Sequence, residues 1–190
     1  MPHNQEPNSQ PHLSVTDIDT PHTSKGTVDN FSISELKENS EWIELIATWH
    51  HREWMSHQRN NTPETLQTKL QDRIRLLQRH LNSEHLPNTF VGHIEGDAIA
   101  TVSLVYYQFN DSAQPSEWLT NMYVEPEYRN QGLATRLLDH AIQYAQSIRL
   151  PRLLLYTSDC GPFYIRRQWR RVNSGLVQGQ QVEIMEYKLQ

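Results

Sequence analysis

The stretch Val124-Glu125-Pro126-Glu127-Tyr128-Arg129-Asn130-Gln131-Gly132-Leu133-Ala134-Thr135-Arg136-Leu137-Leu138 decides how the rest of the chain is read. The residues that lead into it, Trp118-Leu119-Thr120-Asn121-Met122-Tyr123-Val124, have the apolar and aromatic content of a strand. Beyond it, Leu133, Leu137, Ala141, Tyr144 and Ile148 form the stripe of an amphipathic helix that runs to about Ser147. The connection is a tight turn ending in Gly132. Glycine lacks a Cβ, so its backbone takes unusual dihedrals and lets a ligand come close. Ala134 is nearly as small. The first N–H groups of a helix have no partner within it, and the helix dipole places partial positive charge there. A small-residue turn at a helix start is therefore a ready anion site, with phosphate or pyrophosphate the economical occupant. No Lys-Ser/Thr follows the glycine, as a Walker loop requires, and the dinucleotide fingerprint G-x-G-x-x-G is absent.

Upstream, Phe31 to Leu36 alternates apolar and polar residues, a first strand. Asn39 or Ser40 is placed to cap a helix with Trp42, Leu45 or Ile46, Trp49 and Trp54 or Met55 on one face. Thr62-Pro63-Glu64 marks a second helix start, with a cap, a proline at the first helical position and an acid in the first turn. Leu66, Leu70, Ile74, Leu77 and Leu81 then make the clearest amphipathic stripe in the chain. From Leu86 the pattern turns to strands, Thr89–Ile94 and Ala98–Tyr107 about a turn at Glu95-Gly96-Asp97, and then to a loop over residues 110–115. Downstream, Pro151 ends the anion-site helix. Arg152 to Tyr156 is a nearly all-apolar strand of the kind buried inside a sheet. A short helix spans about Cys160 to Arg167, and Arg170–Val177 and Val182–Leu189 close the chain as strands. A helix crossing between two strands implies local parallel pairing, while the hairpins imply antiparallel pairing elsewhere. The order of elements thus predicts a mixed α/β sheet.

Residues 1–30 hold four of the ten prolines and no apolar period, so they are read as an extended or disordered tail before a domain over 31–190. The net charge of −5 argues against a dedicated nucleic-acid binder. No 18-residue apolar run offers a membrane span, and the N-terminus has no secretory pattern. The single cysteine, Cys160, excludes an internal disulfide and a cysteine-cluster metal site, and a cytoplasmic location follows. His50, Glu53 and His57 share a helix face, but no further zinc-type ligand is evident and no metal is expected.

Arg129-Asn130-Gln131-Gly132-Leu133-Ala134 resembles the (Arg/Gln)-x-x-Gly-x-(Gly/Ala) signature of the GNAT superfamily of N-acetyltransferases. Met122 to Tyr128 resembles that family's strand and turn, and the element order from Phe31 to Leu189 is similar to its fold. A second segment, Tyr156 to Trp169, resembles the family's N-x-x-A-x-x-F-Y-x-x-x-G-F. Phe163-Tyr164 matches and Trp169 stands for the last aromatic, while Thr157 replaces Asn, Cys160 replaces Ala and Gln168 replaces Gly. The resemblance implies an α/β (α+β) fold, with a mixed, mainly antiparallel sheet of about seven strands flanked by about four helices. It implies acetyl-CoA as acyl donor and no metal. Its pyrophosphate would lie against Arg129, Asn130, Gln131, Gly132, Leu133, Ala134 and Thr135. Its pantetheine arm would lie in a V-shaped gap beside Met122-Tyr123-Val124, pairing with the backbone of Met122 and Val124 and meeting Thr157 and Tyr164. The loss of Gly at Gln168 implies a different helix C-terminus.

Acetyl transfer sets the chemical requirements. An alkyl amine with a pKa of about 10.4 is charged at pH 7 and must yield a proton to a base before it attacks. The oxyanion needs a donor such as the Met122 N–H. The thiolate needs a proton, and Tyr164 on the last short helix is the candidate acid. Glu117, at the head of the central strand, and Asp159, just past the next strand, are the candidate bases. Cys160 has no histidine near it in sequence and is read as a small buried thiol, not a nucleophile. The run Arg166 to Arg171 is a solvated face or, alternatively, a patch that meets the nucleotide phosphates. The acceptor is then a primary amine on a small molecule or a peptide N-terminus, with direct transfer in a ternary complex. A non-catalytic acyl-CoA-binding sensor or scaffold is the alternative. An aminoacyl-tRNA acceptor is disfavoured by the acidic balance, and a homodimer is compatible with the resemblance.

Overall fold

The computed structural model describes residues 28–55, 62–109, 114–177 and 179–189. Within them the strands are β1 Phe31–Glu35, β2 Asn88–Ile94, β3 Asp97–Tyr107, β4 Ser116–Val124, β5 Arg152–Thr157, β6 Arg170–Val177 and β7 Gln180–Lys188. The helices are α1 Ile43–Met55, α2 Pro63–His80, α3 Leu133–Ser147 and α4 Gly161–Ile165. All seven strands join one sheet in the order β1-β2-β3-β4-β5-β7-β6. Every neighbouring pair is antiparallel except β4 and β5. The mixed, mainly antiparallel sheet with four helices is therefore the fold that forms.

Residues 1–27 of the expected tail lie outside the described residues. Val28–Asn30 makes a 3-10 turn, and Val28 packs against the core. Arg136 of α3 holds this turn by donating to the carbonyls of Val28 at 3.3 Å and Phe31 at 2.8 Å. α2 starts as its sequence requires, with the Thr65 N–H donating to Thr62 Oγ1 at 3.2 Å and Pro63 in the first turn. α1 starts differently. Ser40–Trp42 forms a separate 3-10 turn before Ile43, and Asn39 makes no side-chain cap bond to that turn. Of the alternatives Leu45 and Ile46 for its inner face, Ile46 is buried and Leu45 is exposed.

Successive strand residues face opposite sides of the sheet. Phe90, Val102, Leu104, Leu119, Leu153 and Leu155 face α3 and pack with its Leu133, Leu137, Leu138 and Ala141. The buried face of α3 keeps Leu133, Leu137 and Ala141 of the expected stripe and adds Leu138, Ile142 and Ala145, while Tyr144 is only partly buried and Ile148 is the C-cap. Each large aliphatic side chain removed from water contributes about 1.5–3 kcal/mol, so this face holds α3 and its first turn on the sheet. Val91, Ala98 and Tyr123 face α1 and α2. Val105, Trp118, Leu154 and Tyr156 extend that second face toward β7. β5 reads as continuously apolar because β4 and β7 flank it and both of its faces are covered.

Candidate active site

β4 and β5 share a single parallel pair, Trp118 with Leu154, and part beyond it. The cause lies in β4. Thr101 opposes Tyr123 and Ser103 opposes Thr120, so Asn121 and Met122 together oppose Val102. This is a β-bulge, with Asn121 in the left-handed region at φ 54°. A bulge bends its strand and increases its twist. Asparagine is one of the few non-glycine residues that take this conformation. Past the bulge, the Glu125 N–H donates to the Ile99 carbonyl at 2.9 Å. The backbone of Tyr123 therefore turns to β3, and by alternation that of Met122 and Val124 turns to the β5 side. Tyr123 is held away from the gap. It stacks on Trp49 with ring centroids 5.4 Å apart, and its hydroxyl joins Arg52 and Glu125. Burial, with Glu125 beside it, pushes the Tyr123 hydroxyl up to about 12.

The gap ends at the start of α3. After a 3-10 turn at Pro126–Tyr128, Asn130 has φ 61° and Gly132 φ 79°. Left-handed residues in a turn gather backbone N–H groups into an anion-binding concavity. The Gly132 carbonyl accepts from the N–H groups of Thr135 and Arg136, both at 3.1 Å, so the helix is established within one turn. A Cβ placed on Gly132 would meet nothing within 4 Å. Beside the turn there is thus open space, and it is the φ that calls for glycine. Arg129 and Gln131 use their side chains to brace the turn. Arg129 Nε donates to the Val124 carbonyl at 2.9 Å, its guanidinium lies over the Tyr123 ring, and Gln131 Nε2 donates to the Glu127 carbonyl.

α4 forms the other bank. Thr157 Oγ1 accepts from the Cys160 N–H at 3.0 Å and so fixes the step from β5 into α4. Tyr164 is buried between Phe163 and Trp169, with centroids 5.1 and 5.6 Å away. Burial holds its hydroxyl proton far above the ordinary range, Cys160 and Asp159 add to this, and Arg167 opposes it. Asp159 is exposed and belongs to this group, with Ser158 Oγ donating to it at 3.3 Å. Glu117 is not brought there. It opposes Tyr106 at the closed end of the gap and accepts from Ser116 Oγ at 3.1 Å.

The expected departure at Gln168 is corrected. Gln168 adopts the glycine conformation, φ 68°. Its N–H donates to the Ile165 carbonyl at 3.1 Å, and that of Trp169 donates to Tyr164 at 3.2 Å. These are the two bonds of a Schellman motif, so the helix ends in the ordinary way without a glycine. The arginine run divides. Arg166, Arg170 and Arg171 are exposed, and Arg171 pairs with Glu183. Arg167 instead folds back over the Phe163 ring, 3.8 Å from its centroid, and donates to Thr135 Oγ1 at 2.6 Å.

Sequence reasoning misses the polar layer under α1 and α2. His80 Nδ1 meets Thr89 Oγ1 at 2.8 Å, and Thr89 meets Ser103 Oγ at 2.8 Å. His50 is fully buried beside Arg73 and His80. Burial keeps both histidines neutral, and that of His80 pushes it down to about 4. Glu53 lies 4.0 Å from Arg129, and His57 is outside the described residues. Next to this layer, Tyr107, Phe109 and Tyr156 surround Trp118 at the closed end. The only signal for it is that the polar residues of β3, Thr101 and Ser103, sit within an otherwise apolar strand.

The sequence model of the acetyltransferase (GNAT) family matches residues 45–164, well over half of the chain. The chain belongs to the acetyltransferase (GNAT) family. No curated protein matches its sequence. Solved structures agree on the fold. A GNAT-family acetyltransferase from Streptococcus pneumoniae superposes with a TM-score of 0.62 at 18% identity, covering 84% of this chain and 99% of that one. A GCN5-related N-acetyltransferase from Ralstonia eutropha JMP134 gives 0.59 at 20% identity, over 77% and 97% of the two chains. N-acetylglutamate synthase from Neisseria gonorrhoeae, complexed with coenzyme A and L-arginine, gives 0.56 at 17% identity, over 84% of this chain and 33% of that one. Among the described residues no helix is long and apolar enough to cross a membrane.

Proposed function

We propose that the protein transfers the acetyl group of acetyl-CoA directly to a primary amine, on a small molecule or a peptide N-terminus, within a ternary complex in the cytoplasm. The observation that carries this reading is the gap between β4 and β5. It opens at the Asn121 bulge, presents the backbone of Met122 and Val124, and ends at the left-handed turn of Gly132. Acetyl-CoA supplies the thioester carbonyl. The backbone of Gln131 to Thr135 receives its pyrophosphate. The Met122 N–H is the donor for the developing oxyanion. The amine nitrogen bonds to the carbonyl carbon as the carbon–sulfur bond breaks. Asp159 or Glu117 takes the proton from the amine, and Tyr164 gives its own to the departing thiolate. What supports Asp159 over Glu117 is its position between β5 and α4, the helix that carries Tyr164. A homodimer is compatible with this reading.

The test is a screen of primary amines for acetyl-dependent CoA release with the full chain. Turnover with at least one amine is expected, and it should vanish in Gly132→Trp. CoA binding without turnover across a broad panel would make the protein an acyl-CoA sensor. Unchanged CoA affinity in folded Gly132→Trp would remove the turn from the cofactor site.

A further inference from the structure

Arg167 is half-buried, and its contacts are few and definite. Nη2 donates to Thr135 Oγ1 at 2.6 Å, Nη1 donates to the Phe163 carbonyl at 3.0 Å, and the plane lies on the Phe163 ring. Among the described residues no carboxylate pairs with it, while the exposed Arg171 and Arg152 each have one. Its Nε is buried and has no hydrogen-bond partner among them. A guanidinium carries five N–H donors, so most of this one's are unspent. Thr135 stands three residues after Gly132, in the first turn of α3. Because its Oγ1 accepts from Arg167, its own proton is left to donate. A fixed, unneutralised cation from α4 thus stands against a helix start that already favours negative charge.

We propose that Arg167, with Thr135 as its anchor, is a pyrophosphate ligand of acyl-CoA, so that the anion is held from two elements, the α3 turn and the end of α4. This rests on the acetyl-CoA reading above. It adds a side-chain cation to a site otherwise made of backbone. It also ties the phosphates to the helix that carries Tyr164. The planar fork matches phosphate oxygens, and lysine would supply the charge without the geometry.

The test measures CoA and 3′-dephospho-CoA binding by calorimetry at several salt concentrations. Arg167→Ala should raise Kd for both by about 10- to 100-fold, the range for a charge-assisted hydrogen bond. Arg167→Lys should fall between. The salt dependence of Kd should weaken in Arg167→Ala, a readout that a merely structural arginine does not move. Inorganic pyrophosphate should displace CoA from wild type and do so less effectively in the variant. If Arg167→Ala fails to fold, Thr135→Val removes the anchor and should raise Kd in the same direction. Unchanged Kd, or an unchanged salt dependence, overturns the assignment. A loss confined to CoA moves Arg167 to the 3′-phosphate and also overturns it. Wild type that binds CoA with an affinity independent of Arg167 sinks this inference alone. Wild type that binds neither CoA nor pyrophosphate sinks the acetyl-CoA reading as well.

Discussion

The two ends of the β4–β5 gap are built by different means. At the open end, the turn from Glu125 to Thr135 is contiguous in sequence, and its left-handed residues shape backbone groups into a concavity. At the closed end, Trp118 of β4 meets Tyr107 and Phe109, on β3 and just beyond it, and Tyr156 of β5. Behind them His50 and His80 are drawn in from two helices. A ligand that every member of a fold shares can be met by backbone, whose geometry survives side-chain change. A ligand that distinguishes one protein from another must be met by side chains gathered from distant segments. On the reading proposed above, the open end is the one that receives the donor.

The largest effect that tests this contrast is at Gly132. A Cβ there meets no neighbour, but the φ of 79° disfavours any side chain, and an indole would fill the open space beside the turn. Gly132→Trp is expected to abolish CoA binding in calorimetry while far-UV circular dichroism shows a folded protein. Retained binding would break the assignment of the open end to the donor.

The next effect is at Tyr164. Tyr164→Phe keeps the packing against Phe163 and Trp169 but removes the hydroxyl proton. General acid catalysis contributes about 10²–10⁴-fold, so kcat with a good amine should fall within that range while KM for acetyl-CoA stays near wild type. A near wild-type kcat would leave Tyr164 as packing and shift the search for the acid toward Ser158.

The polar layer behind the closed end gives a pH prediction. Burial holds His80 at about 4, below its ordinary value, so the folded state prefers the neutral ring. A histidine depressed in this way contributes stability that is present above the unfolded pKa of about 6.5 and lost as pH falls toward 4. His50 is depressed for the same reason and adds in the same direction. Each can contribute a slope of up to about 1.4 kcal/mol per pH unit in that window. Denaturant unfolding between pH 7 and 4 should show falling stability, and His80→Gln should flatten it. An equally steep fall in the variant would assign the slope elsewhere.

These contrasts also explain what is legible in the sequence. Element order, the amphipathic α2 and α3, and the all-apolar β5 follow from local period and capping, and they suffice for the fold. The Gly132 turn is legible because one glycine and its flanking strand and helix lie together in the chain. The bulge at Asn121 is not, because it exists only relative to β3 and needs Val102 opposite two residues. Arg167 is hidden in a run of arginines, and only the return of α4 onto the first turn of α3 separates it from its exposed neighbours. The polar layer is hidden because a buried histidine has the same spacing as a solvated one.

The smallest effect is at Gln168, where the chain leaves α4 beside the open end. Its φ of 68° places a side-chain-bearing residue in the left-handed region, which costs about 1–2 kcal/mol for most residues. The conformation persists because both Schellman bonds form and Trp169 is buried against Tyr164. The Gln168 side chain itself is exposed, so little is lost by removing it. Gln168→Gly should therefore relieve the strain. Glycine's greater freedom in the unfolded chain offsets about 0.5–1 kcal/mol of that gain. The expected net stabilisation is about 0.5–1 kcal/mol, which at this chain length raises Tm by roughly 1–4 °C. CoA affinity and kcat should stay at wild-type values, because the backbone path is unchanged. A lower Tm would mean that the glutamine side chain supports the turn. A higher Tm with a reduced kcat would mean that the strain at Gln168 helps to set Tyr164, and the open end would then depend on side chains as the closed end does.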